Sequence, residues 1–262
     1  MSADPHRHLL VIGAQRCGTT YLRALLDEHP SIVMTTPAQP EPKVFLDDEV
    51  VRRGRGWYVD TWFPGAPPSV LLGEKSTSYL EVPAVIDRVR AVLGEPRILV
   101  QLRDPVARAV SNWQLSSKHG LETRDLRAAI EANLAGPEPW DPEVTSVSPF
   151  AYLERGRYVE YLRPWHAAFG DRIRVQFLED LLAKPEEIGE TYRWLGVHPA
   201  FVPPSLGDRV NQSTSTAPPL GSETTAQLRD WFAESDQALA ELLGRPVPWE
   251  SSATYTPDQG GP

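Results

Sequence analysis

The sequence predicts an α/β protein with a central, mainly parallel five-stranded sheet flanked by helices. Two observations carry this. Five short, largely apolar runs recur, at Leu9–Ile12, Ile32–Met34, Val70–Leu72, Ile98–Leu102 and Ile173–Phe177, each far enough from the next to leave room for a helix. Unbroken rather than alternating apolar runs are typical of strands buried on both faces. The stretches between them carry apolar residues at helical spacing, and strand–helix alternation implies a parallel sheet covered by helices.

Taken in order, the first run leads to Tyr21, Leu22, Leu25 and Leu26, which share one helical face. Val85, Ile86, Val89 and Leu93 do the same within residues 82–93. Asp104-Pro105 opens a helix that runs to Lys118, a capping residue followed by proline at the first helical position. Further helices are expected over Arg124–Leu134, Tyr152–Phe169, Pro185–Leu195 and Ser222–Leu243. The 26 prolines, about twice the usual share, cluster in the connections and stiffen them. The long connection from Gly136 to Pro149 is a candidate lid. Residues 1–250 read as a single domain, and the polar, Gly/Pro-rich stretch 251–262 as a disordered tail.

Composition narrows the function. A chain of 262 residues buries enough apolar surface to need neither disulfide nor metal. Its single cysteine, Cys17, excludes an intramolecular disulfide and any multi-cysteine metal site. With 26 basic and 35 acidic residues the formal charge is −9, which argues against a nucleic-acid partner and, more weakly, against a polyanionic acceptor. No apolar run approaches the roughly 18 residues of a membrane span. The opening MSADPHRHLLVIG lacks the pattern of a secretory leader, so a cytoplasmic protein is expected, with His6 and His8 exposed at the chain start. Oligomeric state is left open.

The chemistry concentrates in two segments. The first run is followed by Gly13-Ala-Gln-Arg-Cys-Gly18-Thr19-Thr20 and then an amphipathic helix. A strand, a glycine-bounded loop and a helix N-terminus together cradle an anion with backbone N–H groups, which makes the expected fold a P-loop-like three-layer sandwich. The glycine spacing matches the nucleoside-triphosphate loop, but Thr19 stands where that loop has its lysine. A cation sits inside the loop instead, at Arg16. The loop therefore suits a single 5′-phosphate and whatever is attached to it. Cys17 reads as a small filler of that loop rather than an activated nucleophile, since nothing in the sequence sets a histidine beside it.

In the second segment, Arg97 to Ser111, Arg103 ends a strand at its carboxyl edge, where parallel sheets bind ligands. Ser111 lies about two turns into the next helix, and a guanidinium with a hydroxyl can hold one phosphate. The alternatives are structural: Arg103 pairing with Asp104 or Glu74, and Ser111 a buried helix serine.

The motifs GAQRCGTT and LRDPVARAVSNW, each after a strand, resemble those of sulfotransferases that use 3′-phosphoadenosine 5′-phosphosulfate (PAPS). The resemblance is strongest to heparan sulfate N- and 3-O-sulfotransferase domains and their bacterial relatives, and it covers most of the chain. Pro40-Glu41-Pro42-Lys43-Val44-Phe45, Gly54-Arg-Gly-Trp57-Tyr58, Gly73-Glu74-Lys75-Ser76-Thr77-Ser78-Tyr79, Glu179-Asp180-Leu181 and Trp194-Leu195-Gly196-Val197 resemble further family segments.

The resemblance implies that Arg16, Cys17, Gly18, Thr19 and Thr20 bind the 5′-phosphosulfate, and that Arg103 and Ser111 bind the 3′-phosphate. It makes Glu41 the general base, puts Lys75 near the sulfuryl group or the acceptor, and assigns Arg16 the charge on the leaving phosphate. No metal is required. Lys43, His119, Trp113 and Trp140 are candidate contacts to a small-molecule or natural-product acceptor, a hydroxyl before an amine.

Three features depart from the family pattern. Relatives often have lysine at Arg16 and histidine at Lys43. Where the heparan group has a lysine-rich closing loop, this chain has Arg209-Val-Asn211-Gln-Ser213-Thr-Ser. Two other classes compete. A small-molecule kinase would need the missing lysine and a magnesium carboxylate. A non-catalytic nucleotide-binding module would need no base. Glu41 as a solvated loop carboxylate and Lys75 as a partner of Glu74 or Glu81 are the plain structural alternatives.

Overall fold

The computed structural model describes residues 8–141, 143–145, 147–208 and 220–249. These fall into two compact units, one drawn from Met1–Leu102 and Tyr161–Asn211, the other from Arg103–Glu160 and Gln212–Pro262.

The first unit holds the sheet. Its strands are β1 (His8–Gly13), β2 (Ile32–Met34), β3 (Leu71–Lys75), β4 (Arg97–Leu102) and β5 (Ile173–Phe177). They lie in the order β2-β3-β1-β4-β5 and every pairing is parallel. This is the expected five-stranded α/β sheet of P-loop-like class, flanked by helices. The β1 crossover leads toward β2 and the β4 crossover toward β5, so strand order reverses between β1 and β4. Parallel sheets take ligands beyond the carboxyl ends of such a pair.

Helices α1 (Thr19–Asp27), α3 (Ala84–Leu93), α7 (Leu178–Ala183) and α8 (Glu187–Leu195) belong to this unit. The α1 face Tyr21, Leu22, Leu25 and Leu26 packs with Leu9, Val11, Leu99, Ile188 and Tyr192 in one buried cluster. Helix α2 (Glu49–Trp62) was not evident in the sequence, because it is kinked at Gly54, which sits at φ 75° and ψ −179°. A glycine-interrupted, arginine-rich stretch carries no clean helical period. His8 corrects another expectation. It is fully buried as the first residue of β1, paired in register with Leu72 and with its ring 5.9 Å from that of Tyr58. His6 lies outside the described residues.

The second unit contains α4 (Pro105–Lys118), α5 (Leu126–Leu134) and α9 (Ser222–Leu243). Val106, Ala109, Val110, Ile130, Tyr152, Leu228 and Phe232 form its core. Asp104 caps α4 by accepting from the Val106 N–H at 2.9 Å. Arg108, fully buried, donates to the carbonyls of Ala151 (3.2 Å) and Tyr152. Two other contacts tether the 136–149 connection at its ends: Glu138 to Arg124 (2.7 Å) and the Pro149 carbonyl to Ser116 Oγ (2.6 Å). Helix α6 (Tyr158–Phe169) follows. Among the described residues no helix is long and apolar enough to cross a membrane.

Gly13 closes β1 against the turn after β3. A Cβ there would lie 2.7 Å from Leu80 Cδ2 and 2.8 Å from Leu80 Cβ, the latter too near the backbone to swing away. Gly13→Ala is therefore expected to cost about 1–3 kcal/mol in chemical denaturation, as overpacked sites do.

Candidate functional site

The loop between β1 and α1 is positioned by its neighbours in the sheet. The Ala14 N–H donates to the Gln101 carbonyl at 2.8 Å, and Gln101 Nε2 donates to the Cys17 carbonyl at 2.6 Å. Gln101 is itself held from behind. Gln176 Nε2 on β5 donates to Gln101 Oε1 at 2.9 Å, and Thr191 Oγ1 on α8 donates to Gln176 Oε1 at 2.7 Å. The four residues of this chain are buried, and each amide gives one proton and accepts another, so the dipoles align toward the loop. Sequence reasoning missed Gln101. A glutamine inside an apolar strand run was the available signal.

Gly18 sits at φ 73°, and a Cβ on it would lie 2.7 Å from Leu178 Cδ1 and 3.1 Å from Gln101 Nε2. Only glycine fits, both for the left-handed backbone and for the close approach to the amide. Arg16 takes a left-handed backbone as well, φ 66°, and is half-buried. Cys17 is buried, with Sγ 3.6 Å from the Gln15 carbonyl. Helix α1 starts at Thr19, and the N–H groups of a first helical turn have no intrahelical acceptors. That end also carries the positive pole of the helix dipole. Thr19 is buried and Thr20 exposed.

The end of β3 gathers a second set of groups in the same unit. Val11 of β1 pairs with Lys75 of β3, so the residues after Lys75 adjoin the residues that lead into the loop. Lys75 is 3% exposed, and its Nζ lies 2.6 Å from Glu41 Oε1. Glu41 Oε2 accepts from the Thr77 N–H at 2.9 Å, and Thr77 Oγ1 adds a hydrogen bond at 3.0 Å. The solvated-loop alternative for Glu41 and the Glu74 or Glu81 partner for Lys75 are therefore replaced by one buried pair.

Glu74 is fully buried behind that pair. It accepts from Tyr58 OH (2.7 Å), Ser76 Oγ (2.8 Å) and Tyr79 OH. Burial pushes its carboxyl above the usual 4.5, against the lowering effect of those hydrogen bonds. Burial, with Glu74 alongside, also pushes the Tyr58 and Tyr79 phenols well up.

In the second unit Arg103 is the residue after β4, half-buried, its carbonyl accepting from Tyr158 OH at 2.7 Å. Among the described residues its guanidinium has no ion-pair partner. Asp104 instead takes Arg229 in a two-pronged pair, both contacts 2.7 Å. Ser111 is buried on α4. His119 caps the C-terminus of that helix and is exposed. Trp113 is half-buried against that unit's core and donates its indole N–H to the Arg124 carbonyl at 3.1 Å. Trp140 is half-buried. Lys43, in the first unit, has its N–H on Ser76 Oγ at 2.9 Å. Arg209, Asn211 and Ser213 lie outside the described residues. No cluster of His, Cys, Asp and Glu able to hold a metal occurs among the described residues.

The sheet and its loops define an α/β protein of P-loop-like class with a carboxylate–ammonium pair beside the β1–α1 loop. Comparison with known proteins narrows that class. No protein-family model matches the chain. Among curated proteins it is similar to the bifunctional heparan sulfate N-deacetylase/N-sulfotransferase 3 of Mus musculus, 27% identical over 269 residues, 91% of this chain and 30% of that protein. It is also similar to the heparan sulfate glucosamine 3-O-sulfotransferase 5 of Homo sapiens, 23% identical over 92% of this chain and 73% of the relative. The chain thus spans less than a third of the first of these relatives. Of solved structures, a sulfotransferase from Alicyclobacillus acidocaldarius superposes with a TM-score of 0.72 at 24% identity, over 91% of this chain and 96% of that one. The sulfotransferase domain of the curacin biosynthetic pathway gives 0.53 at 15%, over 94% and 100%. The chain is thus similar in sequence to heparan sulfate sulfotransferases, and its fold is that of solved sulfotransferases.

Two predictions concern the buried groups behind the loop and behind the Glu41–Lys75 pair. Removing the Gln101 amide, as in Gln101→Leu, strands the buried Cys17 carbonyl at a cost of about 1–3 kcal/mol. The loop then opens more often, and labelling of the single thiol by a disulfide reagent is expected to quicken about tenfold or more. The second prediction concerns Glu74, whose carboxyl binds its proton more tightly folded than unfolded. The stability it contributes is full below about pH 4.5 and declines as pH rises through the raised folded value. Thermal melts of Glu74→Gln from about pH 4 to about pH 8 should show a flatter pH dependence than the wild type.

Proposed function

We propose that this protein transfers a sulfuryl group from PAPS to the hydroxyl of a small-molecule acceptor. The observation that carries this is the Glu41 carboxylate, held by Lys75 and Thr77 at the carboxyl end of β3, next to the strand that leads into the anion loop. A nucleotide-binding module needs no such carboxylate. A kinase needs the lysine that Thr19 replaces.

The chain's residues suit the donor. Gly18, where a Cβ would meet Leu178 and Gln101, keeps the loop backbone bare for an anion, and Arg16 adds a cation inside it. Residues 16–20 bind the 5′-phosphosulfate. Arg103, a guanidinium without an ion-pair partner among the described residues, binds the 3′-phosphate together with Ser111.

In the reaction an acceptor oxygen attacks sulfur in line. Its new bond forms as the bond from sulfur to the bridging oxygen of the 5′-phosphate breaks, and adenosine 3′,5′-bisphosphate leaves. Glu41 takes the acceptor's proton, and a positioned base contributes on the order of 10²–10⁴-fold. Arg16 and the loop N–H groups stabilise charge on the leaving oxygen, where one such donor counts for about 2.7–4 kcal/mol. Arg16 cannot protonate that oxygen, because a guanidinium does not give up its proton in a protein. Lys75 faces the carboxylate that accepts the proton and the sulfuryl group passing beside it. Lys43 offers a further contact to the acceptor. The charge of −9 favours a small alcohol or phenol over a long polyanion.

Titration calorimetry with adenosine 3′,5′-bisphosphate, set against ATP with magnesium, tests the donor. The bisphosphate is expected to bind and ATP not, and Arg103→Ala is expected to weaken the bisphosphate about 10- to 100-fold, the scale of a charge-assisted contact. Preference for ATP with magnesium would overturn the proposal.

A further inference from the structure

The segment that carries Glu41 is held by its backbone as well as by its carboxylate. Two of its N–H groups end on hydroxyls: Lys43 on Ser76 Oγ and Phe45 on Tyr79 OH, each at 2.9 Å. Both hydroxyls donate their own protons to one carboxylate oxygen, Glu74 Oε1, while Tyr58 OH occupies the other at 2.7 Å. Among the described residues no cation pairs with Glu74, since the neighbouring Lys75 ammonium goes to Glu41. A desolvated carboxylate without a counter-ion is costly, and the three hydroxyl donors offset that cost.

The direction of these bonds matters. A hydroxyl that gives its proton to a carboxylate turns its lone pairs outward and becomes an acceptor. Glu74 thereby orients Ser76 and Tyr79 so that each accepts one N–H from the Lys43–Phe45 backbone. Side chains alternate at the strand end, and the alternation divides the work. Lys75 and Thr77 grip the Glu41 carboxylate. Ser76 and Tyr79, both oriented by Glu74, grip the backbone two and four residues further on.

We infer that Glu74 is a positioning residue for Glu41, fixing through Ser76 and Tyr79 the backbone from which the Glu41 carboxylate reaches Lys75 and Thr77. The inference deepens the proposed reaction and rests on Glu41 being its base. Neither Glu74 nor Tyr79 touches the anion loop through any of these bonds, so donor binding should not depend on them.

The test compares wild type, Glu74→Gln, Tyr79→Phe and the double variant. Turnover with PAPS and a phenol acceptor is expected to fall about 10- to 100-fold in each single variant, the scale of a displaced catalytic group. The KM for PAPS and the affinity for adenosine 3′,5′-bisphosphate are expected to stay within about twofold of wild type. The double variant should lose no more than the worse single one, because the two residues act in one chain. Hydrogen exchange supplies a readout independent of turnover. The Lys43 and Phe45 amides should exchange about tenfold faster or more in Glu74→Gln, in a protein that still melts cooperatively. Wild-type kcat, unchanged exchange at both amides, or a parallel loss of donor affinity would each overturn the inference. Should the wild type transfer no sulfuryl group, the proposed reaction fails, and exchange at Lys43 and Phe45 still decides the positioning.

Discussion

An ammonium group 3% exposed needs a counter-charge, because desolvating it alone costs several kcal/mol. For Lys75 the counter-charge is Glu41, from a proline-flanked segment outside the sheet. Much else is arranged around that pair. Thr77 completes the carboxylate's hydrogen bonds, Glu74 and its hydroxyls secure the backbone behind it, and Val11 fixes β3 beside β1. Deleting either side chain outright would leave the other charge unmatched in a largely buried site, whereas an isosteric amide at Glu41 can still accept from Lys75 and Thr77.

The loop between β1 and α1 is built on the same plan with amides in place of charges. Within the loop the Cys17 N–H donates to the Ala14 carbonyl at 3.3 Å. The Thr191–Gln176–Gln101 chain reaches across β5 and β4 to the Cys17 carbonyl, and Gly18 packs on the same amide. The two glycines that bound the loop therefore answer different demands. Gly13 leaves room for Leu80, a packing constraint, whereas Gly18 supplies a left-handed backbone and a bare surface. An anion site made of backbone N–H groups depends on such fixing, since preorganised donors are effective only when they need not reorganise.

The strands were legible because each centres on an apolar run, and β2 and β5 fall where those runs fall, although Arg174 and Gln176 interrupt the run in β5. Strand β3 shows the limit. Its apolar run stops at Leu72, yet the strand continues through Gly73, Glu74 and Lys75, all buried. A buried carboxylate and ammonium read as a strand's end in any scan for hydrophobicity, and they are the residues that matter most here. Helix α2 escaped notice for a related reason, its period being broken at Gly54. Arg16, Gly18, Thr19, Glu41, Lys75, Arg103 and Ser111 could be picked out by motif. Their partners could not. The Glu41–Lys75 contact joins residues far apart in sequence, and Gln101, Gln176 and Glu74 act through hydrogen bonds that no spacing rule encodes. His8 shows the converse, a polar residue near the chain start that strand pairing buries.

The account rests most heavily on Glu41 acting on a proton rather than merely balancing Lys75. Sulfuryl transfer from labelled PAPS to a phenol, measured for wild type and Glu41→Gln at saturating donor, separates the two roles. The account predicts that the variant keeps its affinity for adenosine 3′,5′-bisphosphate and transfers about 10²–10⁴-fold more slowly. Transfer by Glu41→Gln at the wild-type rate would contradict it.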